Sequence, residues 1–137
     1  MQWIWEMNVL QREIETNLIP ICVKNNVSIL PYYPLEMGLL TGKYRRDQLA
    51  PPNSRLNGDD RLKSINYGKL EALEAFSKSQ GYSLLSLAIS WLASRNEKAS
   101  VIAGATRYDQ LKQNAEAASW KMTKDDQREI DKILGSV

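Results

Sequence analysis

Residues 27–44 read VSILPYYPLEMGLLTGKY, a short apolar run that passes into a loop rich in proline and glycine. Val27-Ser28-Ile29-Leu30 contains two β-branched residues and has the pattern of a buried strand. The loop beyond it is long. From Pro31 to about Asn66 the chain carries prolines at 31, 34, 51 and 52 and glycines at 38, 42 and 58, with no sustained period of 3.6 or 2. A segment of that length inside a compact domain is usually functional or disordered. Its mixture of basic and apolar residues points to function.

Towards the N-terminus, Ile14, Leu18, Ile21 and Cys22 fall at i, i+4, i+7 and i+8, which predicts a helix from Arg12 to about Lys24. Pro20 is a point of kinking, and Asn25-Asn26 supplies a stop, because asparagine tolerates the left-handed conformation. Residues 3–10, WIWEMNVL, are aromatic and apolar enough for another short strand. Towards the C-terminus, Tyr67 to Gln80 reads as helix, with Leu70, Leu73 and Phe76 on one stripe and Gly81 at the stop. Ser83 caps a second helix, whose wide apolar face runs through Leu84, Leu85, Ala88, Ile89, Trp91 and Leu92. Ser100-Val101-Ile102-Ala103 is expected to be a third strand, ended by Gly104. Thr106 with Asp109, and Thr123 with Asp126, have the spacing of capping boxes. The helices they open carry Leu111 and Ala115, then Ile130, Ile133 and Leu134.

The order is strand, helix, strand, long loop, two helices, strand, two helices. Such alternation means βαβ units and a parallel sheet. Parallel sheets need both faces covered, and three strands are few for an independent one. A (β/α)8 barrel takes roughly 250 residues, or about 200 at the short end, and this chain has 137. The sequence therefore predicts an α/β chain that forms part of a barrel.

Composition narrows the chemistry. With 43% hydrophobic and 25% charged residues the chain is one globular domain. A net charge of +2 is too small for binding nucleic acid or a membrane surface through bulk charge. The single cysteine, Cys22, excludes an internal disulfide and fits a reducing compartment. The chain contains no histidine, which excludes a Ser-His-Asp triad, a Cys-His dyad and a histidine-bearing zinc site; no metal site is expected. No run of about 18 apolar residues is present to span a membrane, and MQWIWEMNVLQREIE does not look like a targeting segment. A cytoplasmic location is the expectation.

In parallel α/β folds, ligands meet the loops after the C-terminal ends of strands. Two loops stand there. The first is the quoted stretch with Ser54-Arg55 beyond it; the second runs from Gly104 to Asn114. Gly38 and Gly42 loosen the backbone around Lys43, a cation suited to phosphate, and Tyr32 can offer a flat face to a ring. Gly104 allows close backbone approach, and the helix after it offers free N–H groups to an anion, with Thr106 and Arg107 to strengthen the site. Gln110 and Asn114 lie one turn apart and can meet the same ligand edge. Plainer readings stand beside these. A threonine before a helix is usually only a cap, paired tyrosines usually pack, and Lys43-Tyr44-Arg45-Arg46 reads equally as a solvated loop.

Together the two loops resemble the aldo-keto reductase family. PYYPLEMGLLTGKY is similar to its strand-seven loop, Y-S-P-L-x-x-G-x-L-T-G-K-Y, and NSR at 53–55 to the Ser-Arg motif after it. GATRYDQLKQN is similar to the strand-eight phosphate loop, G-A/S-x-x-x-x-Q-L-x-x-N, and MNVLQREIE to the strand-six segment Y-N-L-L-x-R-x-x-E. The resemblance runs from about Met7 to Leu134 and leaves residues 1–6 as an unrecognised extension. It implies an NADP(H)-binding (β/α)8 barrel of which this chain supplies the last three strands, residues 1–137 being one partial domain. It implies that Tyr32 stacks on nicotinamide, that Tyr33, Pro34, Leu35, Gly38 and Lys43 form the pyrophosphate loop, and that Arg55 clamps the cofactor. Gly104, Thr106, Arg107 and Gln110 then surround the 2′-phosphate, and Gln113 and Asn114 the adenine.

The chain departs from the family pattern at Tyr33, which replaces a serine, at Met7, which replaces a tyrosine, and at Ile4, where a glutamine commonly holds the carboxamide. The family's catalytic Asp, Tyr, Lys and His belong to the first half of the barrel, so the resemblance implies no catalytic residue here. The implied function is hydride transfer between nicotinamide and a small-molecule carbonyl or alcohol in the complete enzyme. The alternatives are a non-catalytic nucleotide-binding module like the potassium-channel β subunits, and a truncated product without activity. Uncovered strands predict self-association of the isolated chain.

Overall fold

The computed structural model describes residues 1–95 and 100–135. Two strands, β1 (Gln2–Glu6) and β2 (Ser28–Tyr32), pair in parallel with Gln2 opposite Ser28 and Glu6 opposite Tyr32. Helix α1 (Ile14–Lys24) makes the crossover between them. The first strand is shorter than residues 3–10, because Met7 to Leu10 turn towards α1 and are closed by bonds between Asn8 and Gln11.

The α1 helix continues through Pro20 and ends where Asn26 takes a left-handed φ of 54°. Its buried face differs from the predicted one: Ile14, Ile19 and Cys22 are buried, and Ile21 is exposed. Successive helical residues rotate by about 100°, so a face centred on Cys22 turns Ile21 outwards.

Helices α2 (Tyr67–Ser79) and α3 (Leu84–Ala93) begin at side-chain caps, where Asn66 accepts the N–H of Lys69 and Ser83 that of Ser86. Two further helices complete the order, α4 (Tyr108–Glu116) and α5 (Lys124–Leu134). Helix α5 begins at the Thr123–Asp126 capping box, complete in both directions. Helix α4 buries none of its residues; Leu111 and Ala115 are exposed. One core gathers Ile14, Ile19 and Cys22 of α1, Ile29 of β2, Leu70 and Leu73 of α2, Leu87, Trp91 and Leu92 of α3, and Ile130 of α5. Arg12 and Arg95 lie over the Trp91 ring at 5.2 and 4.9 Å, and Glu15 joins both while Asp131 takes Arg12.

The expected third strand does not form. Ser100–Ala103 is no strand; one bond, Ile102 N–H to Pro31 O at 3.0 Å, lays it beside β2. Pro31 has no N–H to return, and β2 ends at Tyr32, where the left-handed Tyr33 turns the chain away. The 31–66 segment, read from sequence as a long functional loop, has local structure. It contains 3₁₀ turns at Glu36–Thr41 and Asp60–Ser64 around a small core of Leu39, Tyr44 and Leu56. The Tyr44 hydroxyl accepts the Leu56 N–H within that core, at 3.0 Å. Among the described residues the fold is thus α/β with a two-stranded parallel sheet, not three strands.

Candidate functional site

The first loop leaves β2 on an unusual path. Tyr33, Glu36, Met37 and Gly38 have φ of 54, 45, 51 and 95°. Three of them carry side chains, and each such residue costs roughly 1–3 kcal/mol and persists only where its surroundings hold it. Asn8 is bonded to two of them. It is fully buried; its amide donates to Tyr33 O at 3.0 Å and to Glu36 Oε2 at 2.6 Å. Its oxygen accepts the N–H groups of Leu10 and Gln11 at 2.9 and 3.0 Å. Burial pushes the Glu36 carboxyl above the usual carboxylate range; the Asn8 bond pulls the other way, while nearby Glu6 raises it and Arg61 lowers it.

The path brings five of the expected residues into two local sets, Tyr32, Tyr33 and Arg55 in one and Gly38 and Lys43 in the other. Tyr32 and Tyr33 meet edge to face, with ring centres 5.0 Å apart. The Arg55 guanidinium lies 5.3 Å from the Tyr33 ring. Lys43 folds back over Gly38 so closely that a Cβ there would stand 2.7 Å from Lys43 Cε. The φ of 95° is what favours glycine at 38, since the end of the Lys43 side chain could swing aside from a Cβ. Pro34 is buried and Leu35 packs on the main core, so these two anchor the loop from behind. Its outer end is tied down by Arg45, whose guanidinium grips Glu74 of α2 with both nitrogens and holds that carboxylate at a pKa of about 2. Arg61 lies exposed beside Asp59 and donates to Met37 Sδ at 2.8 Å.

The second loop is arranged locally. The expected capping box of Thr106 and Asp109 does not form: α4 is entered through Arg107, with no side-chain cap. Asp109 instead takes the Arg107 guanidinium at 3.1 and 2.9 Å, a two-pronged charge-assisted pairing that outcompetes a neutral backbone N–H. It holds the Asp109 carboxyl below its usual range. The Gln110 side-chain oxygen accepts both the N–H and the hydroxyl of Thr106, at 3.0 and 3.2 Å. Gly104, Thr106, Arg107 and Gln113 are exposed and Asn114 is half-buried. Among the described residues no hydrogen bond or ion pair links Lys43 or Arg55 to Thr106 or Arg107; the loops join at their bases through Ile102 and Pro31.

Sequence reasoning missed Asn8 and Glu36. The partners lie 28 residues apart, and the signals are faint: a polar residue inside WIWEMNVL and a lone acid inside an apolar loop. Among the described residues no cluster of His, Cys, Asp or Glu could hold a metal ion, and no helix is long and apolar enough to cross a membrane.

Known proteins are similar to the chain over nearly its whole length. The sequence model described as "Aldo/keto reductase family" matches residues 4–135. The chain is similar to "Probable aldo-keto reductase 1" of Glycine max, 31% identical over 129 residues, covering 91% of this chain and 37% of that protein. It is similar to the "NADH-specific methylglyoxal reductase" of Escherichia coli, 31% identical over 80% of this chain and 34% of that one. To the "Probable voltage-gated potassium channel subunit beta" of Arabidopsis thaliana it is 32% identical, over 82% of this chain and 36% of that one. Its fold matches a solved glycerol dehydrogenase from Gluconobacter oxydans with a TM-score of 0.79 at 26% identity, covering 97% of this chain and 42% of that one. The chain thus spans little more than a third of the length of the curated relatives it matches.

Proposed function

Because the chain belongs to the aldo/keto reductase family, we propose that it is the cofactor-binding C-terminal part of an NADP(H)-dependent, cytoplasmic reductase of small-molecule carbonyls. In this reading residues 1–137 are one part of a (β/α)8 barrel. The observation that carries it is the first loop, which sets two cations beside a glycine backbone and a tyrosine ring. Such a set fits a dinucleotide: Lys43 and Arg55 neutralise the pyrophosphate, and Tyr32 gives the nicotinamide a flat face. When bound, the nicotinamide supplies or accepts the hydride. Thr106 and Arg107 hold the 2′-phosphate, which displaces Gln110 and Asp109 from them, and Gln113 and Asn114 meet the adenine.

The proton for the carbonyl comes from the family's Asp, Tyr, Lys and His set outside this stretch, so the chain alone binds cofactor without turning it over. Trp3, Ile4 and Trp5 of β1 are exposed, and through them the isolated chain self-associates. A second reading, a nucleotide-binding module that serves a protein partner, draws on the likeness to the Arabidopsis channel subunit. Both readings require cofactor binding and part over turnover.

The test is a fluorescence titration of the chain with NADPH and NADH. Saturable NADPH binding is expected, and Arg107→Glu should weaken it at least about tenfold, or about 1.4 kcal/mol, while NADH changes much less. Equal loss for both cofactors removes Arg107 from the phosphate. A parent chain that binds neither cofactor sinks the whole reading.

A further inference from the structure

We infer that Asn8 and Glu36 form a clamp that positions the cofactor loop, acting on binding through Lys43 and Arg55 rather than by touching the cofactor. The inference rests on the cofactor reading above for its functional half; its structural half stands on the geometry alone.

The loop from Tyr33 to Gly38 holds three non-glycine residues in the left-handed region, a conformation that a free chain leaves. Local bonds do not account for it. Glu36 N–H to Tyr33 O and Gly38 N–H to Leu35 O close the turns, but such turns form in other conformations as well. What is particular to this path is the convergence on Asn8. One fully buried amide satisfies all its polar positions: two backbone N–H groups of its own turn, the Tyr33 carbonyl and the Glu36 carboxylate. The bonds cross between the segment after β1 and the segment after β2. The end of one strand thereby sets the exit path of its neighbour.

The consequence reaches the cations through the backbone. Tyr33, whose carbonyl is held, carries the ring on which Arg55 rests. Gly38, two residues past the held Glu36, provides the gap into which Lys43 folds. Releasing the clamp moves both cations together, so affinity falls without loss of any contacting group.

Asn8→Asp separates the two functions of the side chain. It keeps an oxygen for the Leu10 and Gln11 N–H groups, removes the donor, and sets a second carboxylate against Glu36. Amide hydrogen exchange of the unliganded chain should show Gly38 and Leu40 exchanging at least about tenfold faster, with Leu73 and Leu87 in the main core unchanged. NADPH binding should weaken at least about tenfold. Glu36→Ala, at a half-buried position that spares the core, should act in the same direction. Glu36→Gln, which retains an acceptor for the Asn8 amide, should return both readouts to within about twofold of the parent.

Unchanged exchange at Gly38 and Leu40 overturns the clamp. So does loss of protection at Leu73 and Leu87 in step with the loop, which marks a merely structural role, and so does Glu36→Gln behaving as Glu36→Ala. Faster loop exchange with unaltered NADPH affinity overturns the link to the cofactor. If the parent binds no NADPH, the cofactor reading fails, and the exchange measurement alone still decides whether the clamp exists.

Discussion

The two loops that carry the family motifs are held in opposite ways. The first, from Tyr33 to Asn66, has a small core of its own, a buried amide behind it and an arginine bolted to α2. The second, from Gly104 into α4, is bonded to itself: Thr106 to Gln110, Arg107 to Asp109. A binding motif can therefore be built as part of the fold or laid on its surface, and the density of motif residues gives no sign of which. The first loop cannot rearrange as a whole without disturbing the small core of Leu39, Tyr44 and Leu56 that it encloses. The second can exchange its internal partners for a ligand at small cost, because each bond it would give up is exposed.

The largest expected effect tests this contrast directly. Leu40 belongs to the main core with no exposed surface, whereas Leu111 of α4 is 56% exposed. Leu40→Ala should destabilise the chain by about 2–5 kcal/mol in urea denaturation, and Leu111→Ala by less than about 0.5 kcal/mol. Comparable losses would mean that α4 is docked after all.

Two threonines provide a smaller test. Thr123 caps α5 by accepting the Asp126 N–H at 3.1 Å, and Thr106 caps nothing. Thr123→Ala should cost about 1 kcal/mol and Thr106→Ala far less, each read from the same melts. Equal effects would restore the capping box at Thr106.

The smallest effect is in acid. Arg45, with a smaller share from Lys78, lowers the Glu74 carboxyl from 4.5 to about 2, so these ion pairs contribute stability above pH 4.5 that is lost as pH falls through about 2. Arg45 is 42% exposed, and a pair so placed is worth at most about 1 kcal/mol. Glu74→Gln should flatten the acid limb of the stability curve over that window, and Asp109→Asn should leave it nearly unchanged. An acid limb indifferent to Glu74 would show that Arg45 does not anchor the first loop.

What the sequence made legible was what neighbours in the chain decide. The apolar stripes of α2 and α3, the caps at Ser83 and Thr123 and the stop at Asn26 all depend on residues within a turn or two. What it concealed depends on distant partners. Ser100–Ala103 has strand composition, yet pairing depends on what β2 can offer, and Pro31 and the turn at Tyr33 withhold it. The motif of the first loop named residues that contact one another in two local sets, Tyr32, Tyr33 and Arg55, and Gly38 and Lys43. Asn8 and Glu36, which shape that loop, were hidden because neither resembles its role until the strands are laid side by side. Thr106 had the right spacing for a cap and lost it to an arginine next door.

The placement of the four tryptophans turns the chain into its own optical gauge. Trp3 and Trp5 are 48% and 47% exposed on β1, whereas Trp91 lies wholly inside, with two guanidiniums over its ring, and Trp120 is buried against Tyr82 with the rings nearly parallel. Acrylamide therefore reaches one pair and not the other, and the quenching curve bends where the accessible emission is exhausted. Any surface that comes to lie against β1 removes the first component and leaves the second, while loosening of the core does the reverse. A single emission spectrum can thus tell association from unfolding without an added label.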